Sequence, residues 1–592
     1  MLTTDRQDKH DFGSPQMKAY DFMKMQNMEF PEEIAIEYLG LRISYRALFK
    51  KVEQFACALT ANGIRQGDHV TVVLPNIPEI VYLFYACNRI GAITTLIDPR
   101  TNTKAILERA NCSSAKALFI LSDLIRKNKS DYTNTEIEKI VSITPADSLR
   151  DKTVPTIEAN AVRFIYGCKR IGSVPKEVVS LKNFLLKAEG SVTDSEFTEK
   201  TACSIVYTSG TDGGKAKGVV LPNESYNSMP AMQMGGQRGF SRQNTFLACI
   251  PFFTAYGSVN GMHNSLCNGW TLQLIPKFKP ADFDLLIKKY KPNHALGVPR
   301  FWESLVDSRR LRGTDLSFLI LPTCGGDKIT PISVERINRF LKERGSKANL
   351  IVGYGATEFG GAFSVTVADK NLYEPGSVGI FMEGVSGRII NPETGVEIKG
   401  NEAEGELCVK SPSMMLGYFK DDEETEKITW YDDKGTKYFR TGDKVRIDSK
   451  GLNWVIDRYK RVIIRPDGHT VSASFIENEM SKEACVQRCA VVGISFDGKA
   501  GAIPTAFIVM KDNLNCTERE AFLSIAANLN RSIPERDQPL AYISVDELPY
   551  TLMGKVDYRK LEHTKTDEVT VFWVNDPLTE RYKTQVRSAV TR

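Results

Sequence analysis

At 592 residues, with 42% hydrophobic and 25% charged side chains, the chain has a globular composition and is too long for one ordinary core, so at least two domains are expected. A net charge of +5 is small for this length, and no basic run or aromatic-interleaved basic stripe accompanies it, which removes nucleic acid as an expected partner. The 12 cysteines are scattered, and only Cys485 and Cys489 lie close together without a second pair or nearby histidines, a pattern of reduced thiols in a cytoplasmic protein rather than of disulfides or zinc.

The first sixteen residues, MLTTDRQDKHDFGSPQ, are polar and mixed in charge, unlike a signal or transit peptide. Methionines between Met17 and Met28 recur at near-helical spacing and read as core packing. Residues 45–62 predict a helix, 70–74 a strand, 79–90 a helix and 93–97 a strand. Helices alternating with short β-branched runs imply parallel sheet layered with helices. The apolar run 80–97 is broken by Asn88 and Arg89 and is too short to span a bilayer, so no transmembrane segment is expected. Residues 122–200 are more polar and less periodic and read as an insertion.

SIVY and GVVL then predict two strands around the loop TSGTDGGKAKG, residues 208–218. Glycines allow close approach of backbone to an anion, and consecutive N–H groups form a nest for phosphate oxygens. Thr208, Ser209 and Thr211 add hydroxyl donors, and Lys215 and Lys217 add positive charge. The spacing is not that of a Walker loop, and the same composition suits a surface turn.

The helix and strand alternation returns at 316–322, 332–344 and 350–352. Short strands with turns follow at 387–390, 405–409, 444–447 and 453–456. From about residue 458 the helix and strand signals alternate again, at 475–482, 490–494, 505–511, 519–530 and 543–546. The expected fold is α/β: a large N-terminal domain of several subdomains with helix-layered sheets, residues 1–457, and a small mobile α+β domain, residues 458–592.

Four downstream clusters can carry chemistry. In GYGATE, residues 353–358, an aromatic ring can stack on a base, a threonine can donate to phosphate and a glutamate can hold a hard cation. In YFRTGD, the carboxylate of Asp443 at a glycine turn can accept both hydroxyls of a ribose. In DRYKR, Arg458 can reach ribose or phosphate, and Lys460 falls where the domain changes. In LPYTLMGKVDYRK, Gly554 before Lys555 presents one positive charge on a turn. Each cluster alone is equally an ordinary turn or a solvated charge.

In their order along residues 43–560, these segments resemble the adenylate-forming superfamily of acyl-CoA synthetases, carrier-domain adenylation enzymes and luciferases. GAITTLIDP, PFFTAYG, Gly325–Gly326, PGSVG and GELCVKSPSMMLGY belong to the same ordered set. The resemblance implies that Thr208, Ser209, Gly210, Thr211, Gly213 and Lys217 hold the β- and γ-phosphates of ATP. It places Tyr354 against adenine, with Gly325, Gly326 and Gly355 in the nucleotide site, and Thr357 on the α-phosphate. Glu358, with Thr211, holds Mg2+; Asp443 and Arg458 hold the ribose; Lys460 is the hinge and Lys555 acts in adenylation. The implied activity is an acid-thiol ligase: a carboxylate attacks the α-phosphorus, and the acyl group passes to CoA. Alternatives are transfer of an acyl or aminoacyl group to a carrier-protein phosphopantetheine, and a nucleotide-binding relative without turnover. Implied partners are a carboxylic acid, ATP and CoA, with a carrier protein or a second copy of the chain as further classes.

Several positions depart from the family pattern. Asp212 replaces threonine and Ala216 replaces proline in a phosphate loop one residue longer than usual, and an aspartate beside a triphosphate is electrostatically unfavourable. Ile464 stands where lysine is frequent, in a segment one residue longer before Gly468. Thr254 replaces the aspartate that would pair an α-ammonium, which disfavours an amino acid, although Asp327 keeps a carboxylate nearby. Phe252, Phe253 and Tyr256, with Gly360 and Gly361, suit an apolar acid, fatty or aromatic.

Overall fold

The computed structural model describes residues 15–573 apart from 134, 151–153, 155, 169–174, 176, 189–191, 193–194, 199, 209–215, 237–240, 368, 370, 401, 496–500, 512–515, 552–553 and 565–570. Two large sheets dominate. One has nine strands in the order Ile380–Phe381, Gly361–Val365, Ile351–Ala356, Leu321–Gly325, His294–Gly297, Thr245–Ala248, Thr271–Leu274, Ile34–Tyr38 and Leu41–Ser44. The other has eight, in the order Gly417–Tyr418, Gly218–Pro222, Ala202–Tyr207, Ile93–Leu96, His69–Val73, Ala117–Leu121, Lys139–Ile143 and Val178–Ser180. Their central strands pair in parallel, as helical crossovers require.

Local chemistry explains the helices. Tyr45–Ala61 starts where the Ser44 hydroxyl accepts the Ala47 N–H, and its Leu48, Val52, Phe55 and Leu59 recur at three and four residues on the buried side. Pro78–Arg89 begins with proline at its first turn and is buried from Pro78 to Asn88, consistent with an apolar run inside a core. The polar residues interrupting that run tie it to other elements: Asn88 donates to Asn223 Oδ1 (2.7 Å) and accepts the Tyr20 N–H (2.8 Å), while Arg89 pairs with Glu53. Among the described residues no helix is long and apolar enough to cross a membrane. In the methionine-rich segment, helix Ala19–Asn27 buries Met23 and leaves Met25 exposed.

The segment expected as an insertion instead supplies Lys139–Ile143 and Val178–Ser180, the last two strands of the eight-stranded sheet. Its apolar runs are too short to show a period, and pairing with Ala117–Leu121 decides their state.

A five-stranded sheet follows, formed by Ser386–Ile390, Ala403–Lys410, Lys437–Ile447, Thr429–Tyr431 and Asn453–Arg458. The small C-terminal part holds a hairpin, Val462–Ile464 with Thr470–Ser472, and a sheet of Val486–Ile494, Ile503–Met510, Ala541–Ser544 and Val571–Trp573. Its helix Glu518–Leu529 opens with a reciprocal cap between Thr517 and Glu520. Strand Val571–Trp573 lies at the edge of this sheet, where Phe572 packs on Phe522 and Tyr542 at 5.7 and 6.3 Å between ring centres.

Candidate active site

The glycine-rich loop joins two antiparallel strands, as its flanking sequence predicts, with Tyr207 opposite Gly218. Its base is closed by two hydrogen bonds: Thr208 N–H donates to the Lys217 carbonyl (2.9 Å) and Lys217 N–H to Thr208 Oγ1 (3.1 Å). Ser209, Gly210, Thr211, Asp212, Gly213 and Lys215 lie outside the described residues. Lys217 Nζ pairs with Glu424 and stands 4.6 Å from the centre of the Tyr418 ring. Hydrogen bonds from Lys217 and then Lys427 hold the Glu424 carboxyl down at about 2.

Tyr418 in turn donates to Glu358 Oε1 at 2.7 Å, and burial beside that carboxylate keeps its hydroxyl protonated. Lys217, Tyr418 and Glu358 therefore form a connected line. Neither Tyr418 nor Glu424 was legible as a site residue, although Tyr418 ends the GELCVKSPSMMLGY segment. Its short strand Gly417–Tyr418 reaches the loop only by pairing with Val219 and Val220.

Glu358 belongs to a 3-10 turn, Thr357–Phe359, that follows strand Ile351–Ala356 and ends at Gly360 with φ 64°. The neighbouring strand carries the glycine pair, with Gly325 opposite Gly353. On the same strand as Gly353, Tyr354 donates its hydroxyl to Asp443 Oδ2 at 2.6 Å. Arg458 Nε donates to Asp443 Oδ1 at 2.9 Å, and the two residues are cross-strand partners. Asp443 is buried, so its charge is matched where water is scarce. Burial and the adjacent carboxylate raise the Tyr354 phenol far above its ordinary range, which keeps it a donor. Thr441–Gly442–Asp443 is not a loop turn: it lies inside the strand Lys437–Ile447, where Gly442 takes φ 73° at an irregular register.

Lys555 arrives from the small part on a tight turn, with Gly554 N–H donating to Thr551 O (2.9 Å) and Thr551 N–H to Lys555 O (2.8 Å). Gly554 has φ 81°, and a Cβ there would lie 3.1 Å from the Phe301 ring, so glycine serves both the turn and the close approach. The Lys555 Cε lies 3.8 Å from where a Gly326 Cβ would be. Four contacts of two arginines seat the same surface: Arg300 pairs with Glu547 and stacks on Tyr550 at 3.8 Å, and Arg488 pairs with Glu303 (3.2 Å) while donating to the Tyr550 hydroxyl (3.0 Å). Lys460 is exposed in the turn Tyr459–Arg461, apart from this cluster.

Phe252 and Phe253 are buried, and the Tyr256 hydroxyl donates to Gly297 O at 3.3 Å. Thr254 Oγ1 donates to Pro251 O (2.7 Å) and accepts the Gly257 N–H (3.0 Å), so its hydroxyl organises the start of the π-helix Tyr256–His263. Gly360 and Gly361 make room for polar neighbours: Cβ atoms there would sit 3.2 Å from Ser225 and 1.9 Å from Asn260 Oδ1. Both oxygens of Asp327 are taken by backbone N–H groups, of Lys328 (2.9 Å) and Val556 (3.2 Å). In the hairpin after Arg461, Ile464 is exposed, Arg465 is buried against Arg536 O, and His469 pairs with Asp537.

A family model described as AMP-binding enzyme matches residues 23–419. The chain is 29% identical over 478 residues to "Probable 4-coumarate--CoA ligase 3" of Dictyostelium discoideum, covering 79% of this chain and 81% of that one. It is 26% identical over 566 residues to the long-chain-fatty-acid–CoA ligase of Bacillus subtilis (strain 168), covering 94% and 96%. Its fold is similar to that of anthranilate CoA ligase AuaEII in complex with anthranoyl-AMP (TM-score 0.77, 20% identity, 92% of this chain and 96% of that one). It is also similar in fold to ATP-bound MatB from Rhodopseudomonas palustris (TM-score 0.74, 23% identity, 92% and 98%).

Proposed function

The chain belongs to the AMP-binding enzyme family, and from that premise we propose that it is an acid-thiol ligase that joins a carboxylic acid to CoA through an acyl-adenylate. The observation that carries this reading is the convergence of Lys555 on Gly326, one strand away from the Tyr354–Asp443–Arg458 cluster. A carboxylate oxygen attacks the α-phosphorus of ATP while the bond to the bridging oxygen of pyrophosphate breaks. The thiol sulfur of CoA then attacks the acyl carbon, AMP leaves, and the thiol proton passes to solvent.

The residue roles follow from position. Asp443, fixed by Tyr354 and Arg458, keeps lone pairs for two ribose hydroxyls. Lys217 exchanges Glu424 for the terminal phosphates, an anion of higher charge. Thr357, at the end of the Tyr354 strand, donates to the α-phosphate. Lys555 stabilises negative charge growing on the reacting oxygens. Glu358 spends one oxygen on Tyr418 and retains another for a hard cation; a single carboxylate with substrate phosphates is a donor set that suits Mg2+, which would neutralise the departing pyrophosphate. Thr211 is the second residue assigned to that ion.

We place the moving unit at residues 458–592 and the hinge at Lys460, the exposed residue of a three-residue turn that separates the Asn453–Arg458 strand from the hairpin. The substrate is an acid with an aromatic or fatty body, the acceptor is CoA rather than a carrier protein, and the compartment is cytoplasmic. Relatives named for 4-coumarate and long-chain fatty acids support that choice of acid and acceptor. The test is acid-dependent exchange of labelled pyrophosphate into ATP across short, long and aromatic acids, followed by CoA addition without carrier protein. Exchange with one class and thioester formation are expected; ATP binding without exchange for any acid would defeat the proposal.

A further inference from the structure

Asp327 follows the glycine pair on the large part of the molecule, and it touches the small part at the residue next to Lys555. Its Oδ2 accepts the Val556 N–H at 3.2 Å, and its Oδ1 accepts the N–H of its own neighbour Lys328 at 2.9 Å. The second bond orients the carboxylate, and the first anchors main chain rather than a flexible tip. Anchoring the backbone one residue from Lys555 determines where the lysine stem begins, and the Lys555 Cε passes 3.8 Å from the position of a Gly326 Cβ. In the function proposed above the lysine serves the first half-reaction, and the bond from Val556 crosses between the two parts in this arrangement.

We propose that Asp327 is a positioning residue that seats the Lys555 turn for adenylation and takes no part in thioester formation. The inference rests on the function proposed above and goes beyond the family resemblance, which assigns no role to this position. Burial raises the Asp327 carboxyl and the nearby Lys555 charge opposes that rise. Both effects belong to a group enclosed between the two parts. An asparagine keeps one acceptor oxygen, which can serve the Val556 N–H only by giving up the Lys328 N–H, whereas an alanine keeps none.

The test uses the full chain with Asp327→Ala and Asp327→Asn, and reads three quantities: pyrophosphate exchange, CoA thiolysis of supplied acyl-adenylate, and trypsin cleavage after Lys555. In Asp327→Ala the exchange kcat should fall roughly 10- to 100-fold, the cost of misplacing a catalytic group by about 1 Å. KM values for ATP and acid, and the thiolysis rate, should stay within about threefold. Cleavage after Lys555 should accelerate severalfold while cleavage elsewhere is unchanged, and Asp327→Asn, which keeps one of the two acceptors, should restore part of the exchange. Unchanged exchange, equal loss of both half-reactions, accelerated cleavage throughout the chain, or an asparagine variant as poor as alanine would each overturn the proposal. The cleavage arm needs no substrate, so a wild-type chain that exchanges with no acid would refute the functional reading, while the effect of Asp327→Ala on cleavage would still decide whether Asp327 seats the turn.

Discussion

Tyr354 donates its hydroxyl to the Asp443 carboxylate at 2.6 Å, joining the nine-stranded sheet to the five-stranded one at the point where Arg458 meets the same carboxylate. A hydrogen bond to a buried charged group contributes about 1.5–3 kcal/mol. Tyr354→Phe should lower stability by about that amount, measured by denaturant unfolding. Asp443→Asn should raise the KM for ATP at least about tenfold, because a carboxamide offers one acceptor oxygen in place of two.

Under the proposed function, Lys555 supplies its charge in one half-reaction only. Lys555→Ala should reduce pyrophosphate exchange by about 100- to 1000-fold, the scale for losing one preorganised charge stabiliser. Thiolysis of supplied acyl-adenylate should continue at close to the wild-type rate. Loss of both would remove the role assigned to Lys555.

Glu79 is fully buried in the first turn of Pro78–Arg89, where Oε1 accepts the Ser148 hydroxyl at 2.6 Å and Oε2 has no partner among the described residues. Burial pushes its carboxyl up to about 7 from an ordinary 4.5. An acid raised in this way binds more protons folded than unfolded between those two values, so stability falls as pH rises through that interval and stays reduced above it. Glu79→Gln should therefore match wild type near pH 4.5 and be more stable at pH 8, by something on the order of 2–3 kcal/mol. Thermal unfolding across this pH range is the measurement; a pH-independent difference would contradict the expectation.

Gly361 has φ 130°, and an added Cβ would fall 1.9 Å from Asn260 Oδ1, an atom without a hydrogen-bond partner among the described residues. Gly361→Ala should cost about 2–3 kcal/mol through overpacking and backbone strain. Gly395→Ala, at φ 71° with no atom within reach of its Cβ, should cost less. Comparing the two unfolding midpoints separates packing from backbone conformation.

The amino-acid sequence by itself determined the helices of the first hundred residues, the strand pair around the glycine-rich loop and the positions of Lys217, Tyr354, Glu358, Asp443, Arg458 and Lys555. Their residue types carry the chemistry and their local spacing carries the elements. Tertiary structure decided what those residues touch. Tyr418 reaches Glu358, Glu424 reaches Lys217 and Asp327 reaches Val556 only because strands distant in the chain pair side by side. The same cause turned the apparent insertion into two sheet strands, placed Phe572 on an edge and made a bulge of Gly442. Short segments without a period take their structure from pairing partners, which no local pattern encodes.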